Sequence, residues 1–141
     1  PRLTKTYRNL EHYGNPEKIL NDVEKQIRRR ILLQTKTLIL TPRYLVELSD
    51  DICAIIPLPE VLWIYDHAAM RRTIKGRQLS YTIHVVTMKG EEYTLTGKSH
   101  REVSAIYHEL NTRYPNFFFG YSKEHQEMVQ YVLHEMKNEK A

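Results

Sequence analysis

The sequence predicts an α+β fold in which helices flank an antiparallel sheet. Helical periodicity is confined to the two ends of the chain, whereas residues 32–96 are rich in β-branched and aromatic residues. Only short turns separate the apolar runs of that middle segment. Because parallel strands need crossover connections of roughly a dozen residues or more, turns of this length favour an antiparallel meander.

Two amphipathic helices are predicted within residues 1–31. The first has apolar residues at helical spacing: Leu3, Tyr7 and Leu10. Gly14 should end it near residue 13, and Asn15 is a suitable N-cap for a second helix with Pro16 at its first position. The apolar face of the second helix is Ile19, Leu20, Val23, Ile27 and Ile31. The result is a helical hairpin, which we expect to pack against the sheet.

Six strands are predicted next. They are TKTLIL, RYLVEL, ICAII, VLWIY, LSYTIHVVTM and EYTLT. The turns between them include Thr41-Pro42, Ser49-Asp50-Asp51 and Lys89-Gly90-Glu91, and MRRTIKGRQ (residues 70–78) is the longest polar connection. Trp63 lies in a run that is apolar on both faces, so its strand should be central or covered by the N-terminal helices.

The C-terminal region returns to helical periodicity. Ser99 and Glu102 form a capping box for a helix that must end before Pro115. Its buried stripe should be Val103, Ile106, Tyr107 and Leu110. Residues 117–119 predict an extra strand or an extended plug, and Ser122 is a suitable N-cap for a last helix. The apolar face of that helix is Met128, Val129, Val132, Leu133 and Met136.

Length and composition favour one domain over all 141 residues. The single cysteine, Cys53, cannot form an internal disulfide, which favours a reduced, cytoplasmic setting. No apolar run approaches the length of a membrane span, and no signal peptide is recognisable. The chain begins at Pro1 rather than Met, so we expect an upstream segment, which is a candidate membrane tether.

The positive charge is unevenly distributed. The net charge is +4, with eight basic and four acidic residues in residues 1–35 and thirteen of each thereafter. The whole excess therefore lies in the N-terminal segment, where an anionic partner would be sought.

Residues 37–67 resemble a known family. The hairpin LILTPRYLVEL followed by ICAIIPLPEVLWIY is similar to the opening of bacterial pleckstrin-homology-like (PH-like) domains. The resemblance covers about residues 31–113. It implies a PH-like core at residues 32–113, with a bent antiparallel sheet of six to seven strands and a C-terminal capping helix. The helical hairpin would precede this core, and residues 114–141, with one more helix, would follow it. Related domains often occur in membrane-associated proteins.

One familiar property of PH domains is not implied. Phosphoinositide-binding members have a basic cluster in the first hairpin loop, whereas the turn at residues 41–44 has Arg43 as its one cation. A phosphoinositide site is therefore not carried over.

Catalytic and metal motifs are lacking in the sequence. The seven histidines have no partners at metal-binding spacing, and Gly97-Lys98-Ser99 lacks the earlier glycine of a phosphate loop. Asp66-His67 could form an acid/base pair, but no nucleophile motif completes it. We therefore predict no catalytic residue, metal or cofactor, and keep a small enzyme that uses Asp66 and His67 as the weakest alternative.

Two groups of cations are candidates for binding an anion or a lipid headgroup. The first is Arg71, Arg72, Lys75 and Arg77, in the long polar connection, and the second is Arg28, Arg29 and Arg30, at a helix end. Both also have a local explanation, as a solvated connection and as cations that favour the helix dipole. The second group also fits the basic stretches found next to membrane spans on the cytoplasmic side.

The expected function is that of a non-catalytic interaction module in the cytoplasmic part of a membrane-associated protein. Its partner would be an anionic membrane surface or another protein. The alternative is peptide binding or self-association, either at a sheet edge such as residues 43–48 or through a helix. Nucleic acid is not expected, because the ten tyrosines are scattered rather than clustered on a basic face. The oligomeric state is not predicted.

Overall fold

The computed structural model describes residues 2–49 and 53–140, which confirm the α+β class. Its helices are α1 Arg2–Leu10, α2 Pro16–Arg29, α3 His100–Arg113 and α4 Lys123–Lys140. Its strands are β1 Leu33–Gln34, β2 Leu38–Leu40, β3 Tyr44–Leu48, β4 Cys53–Pro57, β5 Val61–Thr73, β6 Gly76–Thr87, β7 Glu92–Lys98 and β8 Phe118–Phe119. The described strands form two four-stranded sheets, in the orders β1-β2-β3-β4 and β7-β6-β5-β8, rather than one bent sheet.

The chain divides into two compact units, Pro1–Glu60 and Val61–Ala141. Each contains one sheet and two helices. The single domain expected over residues 1–141 therefore stays a prediction, and the two units are described in turn.

The helices of the first unit begin where the sequence predicts. The Asn15 side chain accepts hydrogen bonds from the amides of Glu17 and Lys18 at 3.0 and 3.3 Å, and Pro16 is the first residue of α2. Helix α1 ends earlier than predicted, at Leu10, because the next three amides bond to carbonyls three residues back and tighten the chain towards Gly14.

The helical hairpin packs on the first sheet, as expected. One buried cluster joins Leu10 of α1 and Val23 of α2 to the sheet residues Ile39, Tyr44, Val46 and Ile55. Two residues depart from the predicted faces: Tyr7 is exposed, and Ile31 is exposed because α2 has already ended. Thr6 is buried instead, and its hydroxyl donates to the carbonyl of Cys53.

Strand β3 is an inner strand, which corrects the expectation of a free edge at residues 43–48. It pairs along its whole length with β4 and over three residues with β2. The preceding turn is tied to α2, since the Thr41 hydroxyl and the Arg43 amide both donate to Gln26 Oε1, at 2.8 and 3.0 Å. The predicted turn residues Asp50 and Asp51, and Ile52, lie outside the described residues.

The second unit corrects the predicted polar connection at residues 70–78. These residues continue two long strands, β5 and β6, whose pairing runs without a break from Trp63↔Val86 to Thr73↔Gly76. Only Ile74 and Lys75 form the turn. The sequence did not predict this part of the hairpin because its outer residues are exposed on both faces. Apolar and polar residues therefore do not alternate along it.

Helix α3 has the predicted capping box. The Ser99 hydroxyl accepts from the Glu102 amide, and the Glu102 carboxylate accepts from the Ser99 amide. The helix ends at Arg113, before Pro115. Its buried residues are Val103, Ile106 and Leu110, with Tyr107 half-buried.

The aromatic segment forms the predicted extra strand. Phe118 and Phe119 pair in parallel with Trp63 and Ile64, so β5 is an inner strand at this point. The Trp63 indole donates to the Gly120 carbonyl at 2.8 Å.

Helix α4 covers one face of the second sheet. Val129 and Leu133 pack with Trp63 and Val86, whereas Met128, expected on this face, is half-exposed. The Ser122 hydroxyl accepts from the His125 amide at 3.0 Å, as expected of the N-cap. Among the described residues, no helix is both long and apolar enough to span a bilayer.

Candidate functional site

The outer part of the β5–β6 hairpin extends beyond the rest of its sheet. Strand β8 pairs with β5 only at Trp63 and Ile64, and the pairing of β7 with β6 reaches only to Tyr81. Residues 69–80, which we call the arm, are therefore paired only with each other. With five residues on its β5 side, the arm is about 15 Å long.

A tight turn ends the arm. Ile74 and Lys75 are its central residues, and Gly76 follows with a φ of 110°. No described non-glycine residue has a positive φ, so Gly76 takes the left-handed position that a side chain would strain. The Thr73 hydroxyl donates to the Gly76 carbonyl at 2.8 Å, which fixes the turn further.

The arm gathers the first group of predicted cations. Arg72 lies directly opposite Arg77, Arg71 lies opposite Gln78, and Lys75 is in the turn. All four cations are exposed, and none forms an ion pair within the described part of the chain. Since residues 69–80 contain no acidic residue, the arm has a charge of +4.

The arm also exposes large apolar side chains, which are not among the predicted site residues. Ile74, in the turn, is fully exposed, and the cross-strand pair Met70 and Leu79 is 61% and 53% exposed. This pair lies on the same sheet face as Arg72 and Arg77, because positions two apart on a strand share a face. Turns normally take polar residues, so an isoleucine at position 74 among four cations was a sign in the sequence that this segment exposes an apolar side chain.

A ring cluster lies at the base of the arm, on the other sheet face. His84 Nε2 is 2.9 Å from His67 Nδ1, and the His84 ring stacks on Tyr65 with a centroid separation of 4.6 Å. Burial lowers the pKa of His84, the charge of His67 lowers it further, and Glu92 opposes the shift. Burial, followed by the negative charge of Glu92, raises the pKa of Tyr65.

The predicted acid/base pair is not brought together. Asp66 and His67 are neighbours on β5, so their side chains point to opposite faces of the sheet. Asp66 accepts a hydrogen bond from the Tyr107 hydroxyl of α3, whereas His67 contacts His84. Burial, with the hydrogen bond to Asp66 as the second cause, raises the pKa of Tyr107 far above its ordinary value of 10.0.

An open cleft of about 370 Å³ lies beside this carboxylate–phenol pair. Its lining residues are Asp66, Tyr107, His108, Asn111, Phe119 and Gly120. His108 is thus the histidine that shares a cleft with Asp66, a proximity that spacing along the chain did not indicate.

The second group of predicted cations surrounds the end of α2. Arg28 and Arg29 are in its last turn, Arg30 is its C-cap, and all three are exposed. Arg29 and Arg30 line a shallow cleft of about 200 Å³ together with Asp22, Lys25, Gln26 and Pro42. Asp22 already accepts from the Tyr44 hydroxyl at 2.7 Å, and Gln26 from the β2–β3 turn.

The cations of α2 therefore surround a cleft that also holds a carboxylate. They lie at a helix C-terminus, where the dipole stabilises them without a ligand but disfavours an anion. The arm contains no carboxylate and does not lie at a helix C-terminus, so it is the stronger candidate for binding an anionic surface.

Metal ligands are not clustered in the described residues: no three His, Cys, Asp or Glu side chains are arranged to hold an ion. The His67–His84 contact has only two such ligands.

Comparison with known proteins gives a family and no function. Residues 16–129 match the family model described as Domain of unknown function (DUF6709). No curated protein and no solved structure shows a significant match to the chain. Because the matched segment includes α2, all eight described strands, α3 and the start of α4, the chain belongs to the DUF6709 family.

Proposed function

We propose that the chain is a non-catalytic, PH-like interaction module that binds anionic membrane surfaces through its arm. The PH-like assignment is supported by the order of elements, with four antiparallel strands, then three, then a capped helix. The resemblance of residues 37–67 to bacterial PH-like domains likewise implies antiparallel strands followed by a capping helix. Fold likeness does not itself imply a function, so the binding proposal rests on the arm.

The observation that carries the proposal is the concentration of unpaired cations on a projecting hairpin. Each Lys or Arg near an anionic leaflet contributes about 1 kcal/mol, so the four of the arm supply roughly 4 kcal/mol at low salt. Because the arm extends past β7 and β8, these four cations can meet a flat surface together. Cations that are already paired or scattered would lack this additive effect.

The proposed setting is the cytoplasmic side of a bacterial membrane. The lone Cys53, which suits a reducing compartment, and the basic end of α2 support this location. A tether upstream of Pro1 would raise the local concentration of the module at the bilayer.

A second candidate function is strand addition by a protein partner. Both outer edges of the arm have unpaired backbone groups beyond the reach of β7 and β8, and such edges accept an added strand. This alternative replaces the edge first expected at residues 43–48. The four cations would then favour an acidic peptide.

Vesicle co-sedimentation tests the proposal. The chain should sediment at low salt with vesicles of 30% phosphatidylglycerol in phosphatidylcholine, and not with pure phosphatidylcholine. Binding should weaken towards physiological salt, because exposed charges are screened. The arm variant Arg71→Gln/Arg72→Gln/Lys75→Gln/Arg77→Gln should lose most of this binding.

The matched control removes the same charge elsewhere. Lys36, Lys89, Arg101 and Lys123 are exposed cations outside both candidate groups. Their simultaneous change to Gln should leave most of the binding intact. Equal losses in the two variants would mean that net charge, and not the arm, is responsible, and absence of binding to anionic vesicles at low salt would refute the proposal.

A further inference from the structure

We infer that the arm inserts its tip into the bilayer, with Ile74 entering the acyl region. This inference rests on the proposed membrane function and adds a mode of binding to it. The arm then binds both the anionic headgroups and the hydrocarbon of a membrane, rather than making a purely electrostatic contact.

Exposure of the tip is the first argument. Ile74 is fully exposed, so its side chain contributes nothing to folding stability that would explain an isoleucine there. Turn positions of this kind ordinarily take Asn, Asp, Ser or Gly. Met70 and Leu79 are also exposed on the arm, two cross-strand pairs further from the turn than Arg72 and Arg77. Three large exposed apolar side chains on one hairpin, with cations among them, indicate a surface that contacts a partner.

The spacing of cations and apolar side chains is the second argument. Arg72 and Arg77 are two and three positions from Ile74, which places their backbones roughly 5–7 Å behind the tip. Each headgroup layer of a bilayer is also on the order of 5–8 Å thick. The guanidinium groups can therefore contact lipid phosphates while Ile74 reaches the acyl chains.

The remaining two cations, Lys75 and Arg71, can also stay at the level of the headgroups. Lys75 shares the turn with Ile74, and its long stem allows the ammonium group to reach back to the headgroups while its methylenes stay in an apolar setting. Arg71 faces the other side of the arm and lies further from the tip, at headgroup level. No charge then has to enter the hydrocarbon.

The composition of the arm selects a lipid surface over a second copy of the chain. Two arms meeting tip to tip would bring eight cations together with no acidic residue between them. An anionic bilayer complements both features, since phosphates accept the cations and acyl chains accept the apolar tip. The turn is already fixed by Gly76 and by the Thr73 hydrogen bond, so little ordering cost is added on insertion.

Fluorescence quenching by brominated lipid tests insertion directly. In the full chain, Ile74→Trp places an indole at the tip, and vesicles of 30% phosphatidylglycerol in dibrominated phosphatidylcholine quench only indoles that reach the acyl chains. We expect strong quenching and a blue shift for Ile74→Trp. The matched control is Gln130→Trp, at an exposed position on α4, which should show neither effect. The unsubstituted chain gives the background from Trp63, which is buried.

Affinity provides a second readout that needs no added indole. Ile74→Ser should weaken binding to anionic vesicles about tenfold while leaving its salt dependence unchanged, because it removes apolar area and no charge. Tyr131→Ser, which removes a large exposed side chain from α4, should leave the affinity as it was. Both sites are exposed, so both variants should fold.

The outcomes separate the two proposals. Sedimentation with anionic vesicles but no quenching of Ile74→Trp, or an unchanged affinity for Ile74→Ser, would overturn insertion and leave electrostatic surface binding in place. If the unsubstituted chain does not bind anionic vesicles at low salt, both proposals fail.

Discussion

The direction of a side chain in the second unit is decided by strand pairing rather than by proximity in the sequence. Asp66 and His67 are adjacent, yet one contacts α3 and the other the His84 ring on the opposite sheet face. His84 is seventeen residues from His67, and no spacing rule connects them. Residues at helix starts behave differently, because a cap is local: Asn15 and Ser99 could be identified from the sequence, and both cap as predicted.

The His67–His84 contact makes a residue-level prediction. Since the charge of His67 is one cause of the lowered pKa of His84, His67→Gln should raise that pKa towards the ordinary 6.5. Burial remains, so the value should stay below 6.5. An NMR titration of the imidazole resonances measures it, with His134→Gln, at an exposed position on α4, as the control. An unchanged His84 pKa in the His67 variant would contradict the described geometry.

The sign of the stability effect follows from the same shift. A His84 pKa below its unfolded value means that the unfolded chain binds more protons between the two values. The contribution of neutral His84 to stability is therefore complete above about pH 6.5. It decreases as the pH falls through the folded pKa, and His67→Gln should reduce this decrease.

Tyr107 makes a second residue-level prediction. Tyr107→Phe removes the donor to the Asp66 carboxylate and should lower the free energy of unfolding by about 1–2 kcal/mol at pH 7. Urea unfolding measures this loss, and Tyr131→Phe, at an exposed position on α4, is the control. Equal stabilities for the two variants would mean that the hydrogen bond contributes nothing measurable.

The raised pKa of Tyr107 makes the free energy of unfolding depend on pH in the alkaline range. The unfolded phenol loses its proton near pH 10, whereas the folded one keeps it to higher pH, so the unfolded chain binds fewer protons in that range. The stability from this group is present below pH 10 and is lost as the pH rises above it. The difference in stability between the parent chain and Tyr107→Phe should accordingly shrink above pH 10.

Among the secondary-structure elements, the helices were predicted best from the sequence and the arm was predicted worst. The capped helices carry local signals at both ends, such as Pro16 at the start of α2 and Pro115 beyond α3. The arm has no buried face, so apolar and polar residues do not alternate, and residues 70–78 resemble a loop. Its strand conformation depends on the ladder inherited from the buried half of β5 and β6, which is information from outside the segment.

The arm itself should be the weakest part of its sheet. Amides of residues 69–80 have only one partner strand and little apolar cover, so they should exchange with solvent faster than those of Ile83 or Val85, which are buried and flanked on both sides. Amide hydrogen exchange measures this contrast. Equal protection along β6 would show that the arm is covered.

A substitution at the turn tests the same element. Gly76→Ala forces a side chain into a φ of 110° and should destabilise the arm by about 1 kcal/mol, with faster exchange confined to residues 69–80. Gln78→Ala, an exposed neighbour on β6, should change little. If Gly76→Ala left the amide hydrogen exchange of the arm unchanged, this result would contradict the positive φ of Gly76.

At the scale of the whole molecule, the sequence identified the α+β class and the order of elements but not their grouping into two sheets. Strands β1 and β8 have two residues each, too few for a periodic signal, yet they complete the two four-stranded sheets. The cations of the arm were found from the sequence, whereas the exposed apolar residues around them could be recognised only once the hairpin was known. In the proposed function, the arm is the contact for an anionic partner.

Hydrogen exchange of the full chain with and without anionic vesicles tests binding through the arm, because it locates the bound surface without any substitution. Vesicles of 30% phosphatidylglycerol should increase protection of amides in residues 69–80 and leave the amides of α4 and of residues 28–30 as they were. Vesicles of pure phosphatidylcholine should have no effect. Protection gained at the end of α2 instead of the arm, or no protection at all at low salt, would contradict binding through the arm.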